Sequence, residues 1–248
     1  MWNLSMKLNE SILRKRLGLA VSCFDSIDST NLFVKRKIES SEAVSDLVIA
    51  SHQTDGRGRT GKSFYSPAKT GLYLTYVIKN SPSENEYLTA RVALATAAAI
   101  DAVFGVECGI KWVNDIYLNG RKVAGILCQT VRDYTLIGIG INVEKPSEIP
   151  RDLVDRFGFL VDKASENIYQ EAVCELILQI KKVLSSPIGS VLDAYRARCI
   201  HIHHPVSILH SERELCGICV GIADDFSLLV EINGKVQAFT SGMMNLRI

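Results

Sequence analysis

The stretch KWVNDIYLNGRKVAGIL at positions 111–127 predicts two strands joined by a tight turn. Asn119 and Gly120 lie between two strand-like runs, and this dipeptide favours a type I′ hairpin turn, which needs positive φ at both central positions. Lys122 follows just past the turn, close to the small residue Gly125. A lysine on a paired strand can point into a pocket, so we predict that this unit acts on an anion. The alternative is that Lys122 is a charge at the hairpin tip that keeps the turn soluble.

A glycine-rich loop, GRGRTGKS at positions 56–63, formally satisfies two nucleotide-binding patterns, the P-loop and the dinucleotide fingerprint. Both patterns work only where a helix follows the loop and meets the phosphates with its N-terminus. Here a strand-like run at 71–79 follows instead, which disfavours a P-loop hydrolase. Arg57 and Arg59, beside backbone amides that the glycines expose, suit a phosphate or a carboxylate. The alternative is a flexible surface loop with solvated arginines.

Composition limits the class of protein. The 248 residues are 47% hydrophobic and 22% charged, as expected for a globular chain without low-complexity segments. The formal net charge of +1 gives no overall basic field for binding nucleic acid. The longest apolar stretch, at 92–100, is far shorter than the roughly 20 residues of a membrane helix, and the N-terminus has no signal-peptide pattern. We therefore expect a cytoplasmic protein that does not enter a membrane.

Cysteines and histidines offer a weaker signal. The seven cysteines are odd in number and lie mostly in apolar runs, which favours buried reduced thiols over disulfides. Cys216 and Cys219 form a single C-x-x-C in a strand-like stretch, and without a second pair a zinc or redox site is disfavoured. Four histidines between 201 and 210 fit no common zinc spacing, so we expect solvated loop histidines: His201, His203, His204 and His210.

Hydrophobic periodicity predicts alternating helices and strands up to about residue 185, then short strands only. Helices are expected over 31–39, 84–104 and 165–185. Strands are expected over 46–51, 71–79, 116–118, 121–131 and 134–143. Beyond residue 200, four short strand-like runs separated by turn residues predict a small β module that packs against the rest of the chain: VSILH, ELCGICVGI, SLLVEI and VQAFT.

Five motifs taken in order resemble those of biotin protein ligases: DSTN (28–31), HQTDGRGRTGK (52–62), KWVND (111–115), NGRKVAGIL (119–127) and IGIGINV (137–143). Lipoyl ligases and octanoyl transferases share the fold of that family but not its G-R-G-R-x-G loop. The resemblance implies an α+β fold with a class II synthetase-like mixed sheet flanked by helices. It also implies a catalytic biotin- and ATP-binding domain over 1–199 and a small C-terminal SH3-like β-barrel over 200–248.

The resemblance further implies a two-step ligation. Biotin and ATP, with Mg²⁺, give biotinyl-5′-AMP and pyrophosphate. A lysine of a biotin carboxyl carrier protein, the acceptor domain of acetyl-CoA carboxylase, then takes the biotin. The implied catalytic residues are Lys122, Arg57 and Arg59, and the implied metal ligand is Asp115. The implied biotin-binding residues are Ser29, Thr30, Asn31, Gln53, Gly56, Arg57, Arg59, Lys122, Gly125 and Gly138. The implied ATP-binding residues are Arg57, Gly58, Phe64, Lys111, Asn114, Gly140 and Asn142.

The chain departs from the family pattern at three positions. Val113 stands where many members have proline, Phe64 where tryptophan is frequent, and Met243 where an acidic residue is common. Only 27 residues precede the DSTN motif, so we expect a monofunctional ligase without a DNA-binding domain or sequence-specific DNA binding. Monomer and homodimer both stay open. The alternative functions are lipoate or octanoate transfer in the same fold, and biotin sensing without turnover.

Overall fold

A seven-stranded mixed sheet forms the centre of the protein. The structure is a computed structural model and describes residues 8–80, 87–210 and 213–246. The strand order in the sheet is β1-β2-β3-β7-β6-β5-β4, with β1 and β2 parallel and every other pair antiparallel. The strands are β1 Val21–Phe24, β2 Leu47–Ala50, β3 Gly71–Lys79, β4 Gly109–Lys111, β5 Asp115–Leu118, β6 Arg121–Val131 and β7 Tyr134–Asn142.

The predicted hairpin is confirmed between β5 and β6. Asn119 and Gly120 adopt φ values of 50° and 74°, the positive values that a type I′ turn requires. The strand after the glycine-rich loop is also confirmed, since β3 begins at Gly71 and a single 3-10 turn, Arg59–Gly61, is the helical structure within the loop. No helix therefore follows the loop in the way that a P-loop requires.

Among the described residues, five helices flank the sheet: α1 Glu10–Leu17, α2 Thr30–Glu39, α3 Leu88–Phe104, α4 Glu166–Ser185 and α5 Ile188–Arg198. Helix α3 is alanine-rich and buried over most of its surface, because small side chains let it pack closely between the sheet and α4. The predicted apolar stripe of α4 is confirmed, with Val173, Leu176 and Ile180 fully buried. Residues 84–86, where the first prediction for α3 began, lie outside the described residues.

A small five-stranded antiparallel sheet of order β11-β10-β9-β8-β12 ends the chain. Its strands are β8 Pro205–His210, β9 Arg213–Ile222, β10 Leu228–Ile232, β11 Lys235–Phe239 and β12 Met243–Leu246. Sequence patterns predicted the first four of these and missed β12. The prediction of a mixed sheet flanked by helices with a small C-terminal β part is thus confirmed.

Phe226, in the turn before β10, joins the small sheet to the rest of the protein. The indole Nε1 of Trp112 donates to the carbonyl oxygen of Phe226 at 2.9 Å. The centre of the Phe226 ring lies 5.1 Å from that of Tyr87 and 5.3 Å from that of Tyr195. Buried side chains of both sheets form one continuous cluster. The boundary between 199 and 200 therefore stays a prediction.

The expectation of solvated histidines is wrong for His201. Its side chain is 0% exposed, and neither ring nitrogen has a hydrogen-bond partner among the described residues. Burial, together with the nearby charge of Lys111, lowers the pKa of His201 to about 4. The chain is fixed here because the amide of Ile200 donates to the carbonyl of Ile110 on β4. His203 and His204 are exposed as expected, whereas the side chain of His210 lies outside the described part.

Metal-ligand clusters and membrane-spanning helices were also considered in the sequence, and the structure addresses both for the described residues. Within them, no cluster of three or more histidine, cysteine or acidic side chains could hold a metal ion. Cys216 is exposed and Cys219 is buried, and both are free thiols. A search of the same part of the chain finds no helix that is long and apolar enough to span a membrane.

We predict that His201 makes stability fall on mild acidification. The unfolded chain protonates this histidine near pH 6.5, whereas the folded protein holds it neutral down to about pH 4. The folded state is therefore fully favoured above pH 6.5 and loses up to about 3 kcal/mol as pH falls towards 4. Urea unfolding of the wild type and of His201→Gln between pH 7.5 and 4 measures this loss. Equal pH slopes for the two proteins would contradict the assignment.

Candidate active site

Two neighbouring cavities lie beside the glycine-rich loop, and most of the predicted site residues line them. The first has a volume of about 60 Å³ and lies between the start of α2, the loop and the strands β6 and β7. The predicted residues that line it are Ser29, Thr30, Asn31, Gln53, Arg57, Gly58, Arg59, Phe64, Asn114, Lys122, Gly125, Gly138 and Gly140. We call it the inner cavity.

The second cavity, of about 160 Å³, adds Lys62, Lys111 and Asp115 to the wall, and Gly242 and Met244 approach it from the small C-terminal sheet. We call it the outer cavity. Five residues line both cavities, and they therefore stand where the cavities meet: Gly58, Arg59, Phe64, Asn114 and Lys122. The side chain of Met243 lies outside the described residues.

Glycines on β6 and β7 make room for the side chains between the strands. Gly125 and Gly140 are directly paired, and the ring of Phe64 lies over both, so that a Cβ on Gly140 would overlap the ring. A Cβ on Gly138 would likewise overlap the amide of Asn31. Phe64 stands where the family often has tryptophan. Its ring therefore packs on a strip of the sheet that carries no side chains.

We predict that Gly138→Ala destabilises the protein by about 1–3 kcal/mol, because the new methyl group must displace the buried side chain of Asn31. Urea unfolding measures the change. The control is Gly189→Ala in α5, where nothing lies within 4 Å of the added Cβ. The control is expected to be neutral or to gain up to about 1 kcal/mol from helix propensity. Equal stability of both variants would refute the steric argument.

A β-bulge aims Lys122 into the site. Asp115 pairs with Gly125, but the register between β5 and β6 shifts after Ile116, so that Tyr117 pairs with Lys122. Cross-strand partners point to the same face of a sheet, and the extra residue in β6 therefore moves Lys122 onto the face of Asp115. The ammonium Nζ of Lys122 then lies 2.6 Å from Asp115 Oδ1 and 5.6 Å from the ring centre of Phe64. Sequence reasoning placed the lysine on a strand but could not detect the bulge.

The glycine-rich loop closes on itself as a small hairpin. The amide of Gly58 donates to the carbonyl of Lys62 at 2.7 Å, and the amide of Phe64 donates to that of Gly56 at 2.7 Å. Arg59 is held over the site because its Nη1 donates to Asn114 Oδ1 at 3.1 Å. Arg57 lies at the exposed rim and pairs with Asp55 at 2.9 Å. One arginine is thus fixed by the protein and the other is only loosely paired.

Amides and hydroxyls line the closed end of the inner cavity, where α2 begins. The backbone N–H of Thr30 donates to Gln53 Oε1 at 2.9 Å, and Gln53 Nε2 donates to Ser66 Oγ at 2.9 Å. Ser29 occupies the N-cap position of α2, but its side chain makes no capping hydrogen bond. Its buried hydroxyl is therefore not used as a helix cap and is available to the cavity.

Four predicted residues lie outside the inner cavity: Gly56, Lys111, Asn142 and Asp115, which lines the outer cavity. Lys111 lies in the outer cavity with its Nζ 5.6 Å from the ring centre of Tyr117, and burial lowers its pKa against the opposing effect of Asp115. Gly56 lies at the base of the loop. Asn142 is buried at the end of β7, where its Nδ2 donates to the carbonyl of Gly158 at 2.9 Å. Asn142 therefore ties the sheet to the following segment in this structure.

Residues 23–145 match the model of the biotin/lipoate A/B protein ligase family. The chain belongs to this family and is an enzyme of the ligase class. Within the family its relatives are biotin ligases. It is 29% identical to the biotin–[acetyl-CoA-carboxylase] ligase of Mycobacterium tuberculosis over 95% of this chain and 94% of that protein. It is 26% identical to the bifunctional ligase/repressor BirA of Escherichia coli over 96% of this chain and 77% of that protein.

Solved structures agree with the fold. The biotin protein ligase from Aquifex aeolicus in complex with biotin and ATP superposes with a TM-score of 0.78 at 24% identity, covering 92% of this chain and 98% of that chain. A biotin acetyl coenzyme A carboxylase synthetase from Helicobacter pylori superposes with a TM-score of 0.64 at 20% identity, covering 88% and 98%. These similarities establish the fold alone.

Proposed function

We propose that this protein is an ATP-dependent biotin protein ligase that works through biotinyl-5′-AMP. The observation that carries the proposal is the position of Lys122, which lines both the inner cavity, closed by amides and hydroxyls, and the outer cavity, rich in cations. The inner cavity suits biotin, whose cyclic urea is polar and whose chain is apolar. The outer cavity suits the phosphates of ATP. Biotin ligation is also the activity in the names of the curated relatives.

The first step joins two anions, and the cations of the site offset their repulsion. An oxygen of the biotin carboxylate attacks the α-phosphorus of ATP, and the bond to the β-phosphate breaks, so that pyrophosphate leaves with the electron pair. Lys122 at the junction and Arg59 above it supply fixed positive charge where negative charge accumulates. Lys122 must leave Asp115 to do so, which a ligand carboxylate or phosphate compensates.

Asp115 fits a role with Mg²⁺ that arrives with ATP. It is the acidic side chain in the outer cavity, and the Oδ1 of neighbouring Asn114 is already bonded to Arg59. One carboxylate suits Mg²⁺, which keeps several waters and takes its remaining ligands from phosphates. The ion would neutralise phosphate charge there, while Asp115 also positions Lys122 before substrates bind.

In the second step the ε-amine of an acceptor lysine attacks the acyl carbon of the mixed anhydride, the amine loses a proton, and AMP leaves. We propose a biotin carboxyl carrier protein as the acceptor, because relatives of this chain are named as ligases of acetyl-CoA carboxylase. The hydrogen bond from Arg59 of the loop to Asn114, just before β5, would hold the loop over the site and keep bulk water away from the anhydride.

For Lys122→Ala we expect biotin-dependent exchange of pyrophosphate into ATP to fall by about 100-fold or more, because the charge acts most strongly as the anhydride forms. Biotin binding, measured by calorimetry, should be partly kept. The control is Lys181→Ala, since Lys181 is exposed on α4. Wild-type exchange by the Lys122 variant would refute the catalytic assignment.

Substrate choice tests the proposed function directly. We expect pyrophosphate exchange with biotin, ATP and Mg²⁺, and none with lipoate or octanoate as parallel substrates. Exchange with lipoate would assign the chain to the other branch of the family. Biotin binding without exchange would support a sensor. Addition of an isolated carboxyl carrier domain should then give a biotinylated lysine, detected by mass spectrometry.

A further inference from the structure

We propose that Thr75 is a positioning residue that fixes the hydrogen-bond polarity of the closed end of the inner cavity, so that Thr30 can only accept a hydrogen bond from the ligand. This inference rests on the proposed function, because the ligand concerned is the cyclic urea of biotin. Thr75 lies on β3, is 0% exposed and does not itself line the cavity. It acts through the side chains of Asn31 and Thr30, which do.

The orientation of Asn31 is fixed by a backbone carbonyl. Its side-chain nitrogen lies 3.3 Å from the carbonyl oxygen of Leu127 and 3.0 Å from Gln129 Oε1. A carbonyl oxygen can only accept, so the Asn31 atom that faces Leu127 must be the Nδ2 donor. The Oδ1 of Asn31 consequently faces Thr75, whose Oγ1 is 2.5 Å away.

The orientation of Gln53 is fixed in the same way at the opposite end. The backbone N–H of Thr30 can only donate, so the Gln53 atom that receives it at 2.9 Å must be Oε1. The Nε2 of Gln53 then donates to Ser66 Oγ, and Ser66 donates to the carbonyl of Phe64 at 3.0 Å. Backbone groups therefore set the direction of the network from both ends.

Thr75 sits between these two anchored amides. A hydroxyl carries one proton, and Asn31 Oδ1 can only accept, so the proton of Thr75 is committed to Asn31. Thr30 Oγ1 lies 2.9 Å from Thr75 Oγ1 and 3.3 Å from Gln53 Oε1. With both of these atoms available only as acceptors, the proton of Thr30 points into the protein.

Thr30 thus offers a lone pair, and no proton, to the cavity. Gln53 beside it has a second amide proton, since Ser66 is the partner of Nε2 among the described residues. An acceptor next to a donor matches the adjacent N–H and C=O of a cyclic urea. A dithiolane ring or an alkyl chain has neither group and would leave buried polar atoms unpaired, which costs about 1–3 kcal/mol for each.

The test compares variants of Thr75 by calorimetric titration with biotin. Thr75→Val keeps the shape but removes the hydroxyl, so the nearer partner of Thr30 Oγ1 is lost and only the longer contact to Gln53 Oε1 holds the Thr30 proton back from the ligand. We expect about 10-fold weaker biotin binding for this variant and a change below about 3-fold for Thr75→Ser, which keeps the hydroxyl. Thr75→Ala serves as a second variant without hydroxyl should Thr75→Val fail to fold.

Two controls separate positioning from general stability. Thr96→Val removes another fully buried hydroxyl, which donates to Val92 within α3, and should bind biotin like the wild type. On the ligand side, biotin methylated at one or the other ureido nitrogen removes a single N–H. For one of these two isomers the loss caused by Thr75→Val should shrink below about 3-fold, since the interaction it weakens is already absent.

Equal losses for biotin and for both methylated isomers would overturn the proposal, because a merely structural defect weakens every ligand alike. Wild-type biotin binding by Thr75→Val or Thr75→Ala would overturn it as well. In both of these cases biotin still binds the wild type, so the proposed function survives. A wild-type protein that binds no biotin would instead overturn the proposed function and this inference with it.

Discussion

The antiparallel pairing of β6 with β7 is the constraint on which the site depends. Its register sets Gly125 opposite Gly140 and Leu127 opposite Gly138, so three glycines lie on neighbouring positions of two central strands. Their missing side chains leave a strip of bare backbone in a region where other side chains are tightly packed. Phe64 and Asn31 occupy that strip from opposite ends, and the inner cavity is the space that remains between them.

The bulge in β6 places the positive charge of Lys122 beside this strip. Without it, Tyr117 would face Val123, and Lys122 would point to the opposite side of the sheet. The single extra residue therefore decides whether a lysine lies inside the site. The pairing of Lys122 with Asp115 stabilises a cation whose side chain is only 29% exposed, and it also keeps that cation within reach of both cavities until anions arrive.

Sequence patterns predicted the elements that carry strong local signals. The Asn119-Gly120 turn, the apolar stripe of α4 and the strand after the glycine-rich loop are each dictated by neighbouring residues, and the structure confirms them. His201 was misjudged because the expectation rested only on the absence of a zinc-ligand spacing, whereas tertiary packing buries the residue next to β4. Thr75 gave no signal, since a threonine in a strand is ordinary and only contacts 44 and 45 positions away reveal its partners.

The two ends of the site solve different physical problems. Charge neutralisation in the outer cavity tolerates some movement, because Coulomb attraction between ions varies slowly with distance. The hydrogen bonds at the closed end of the inner cavity tolerate no such movement. If a hydroxyl turns, the ligand meets a donor where it needs an acceptor. Arg59 on the glycine-rich loop, which lines the outer cavity, and Thr75 within a central strand reflect this difference. The groups that recognise the ligand lie on a rigid strand, and the groups that neutralise its charge lie on a loop. This division allows one small fold to combine selectivity with the movement that catalysis requires.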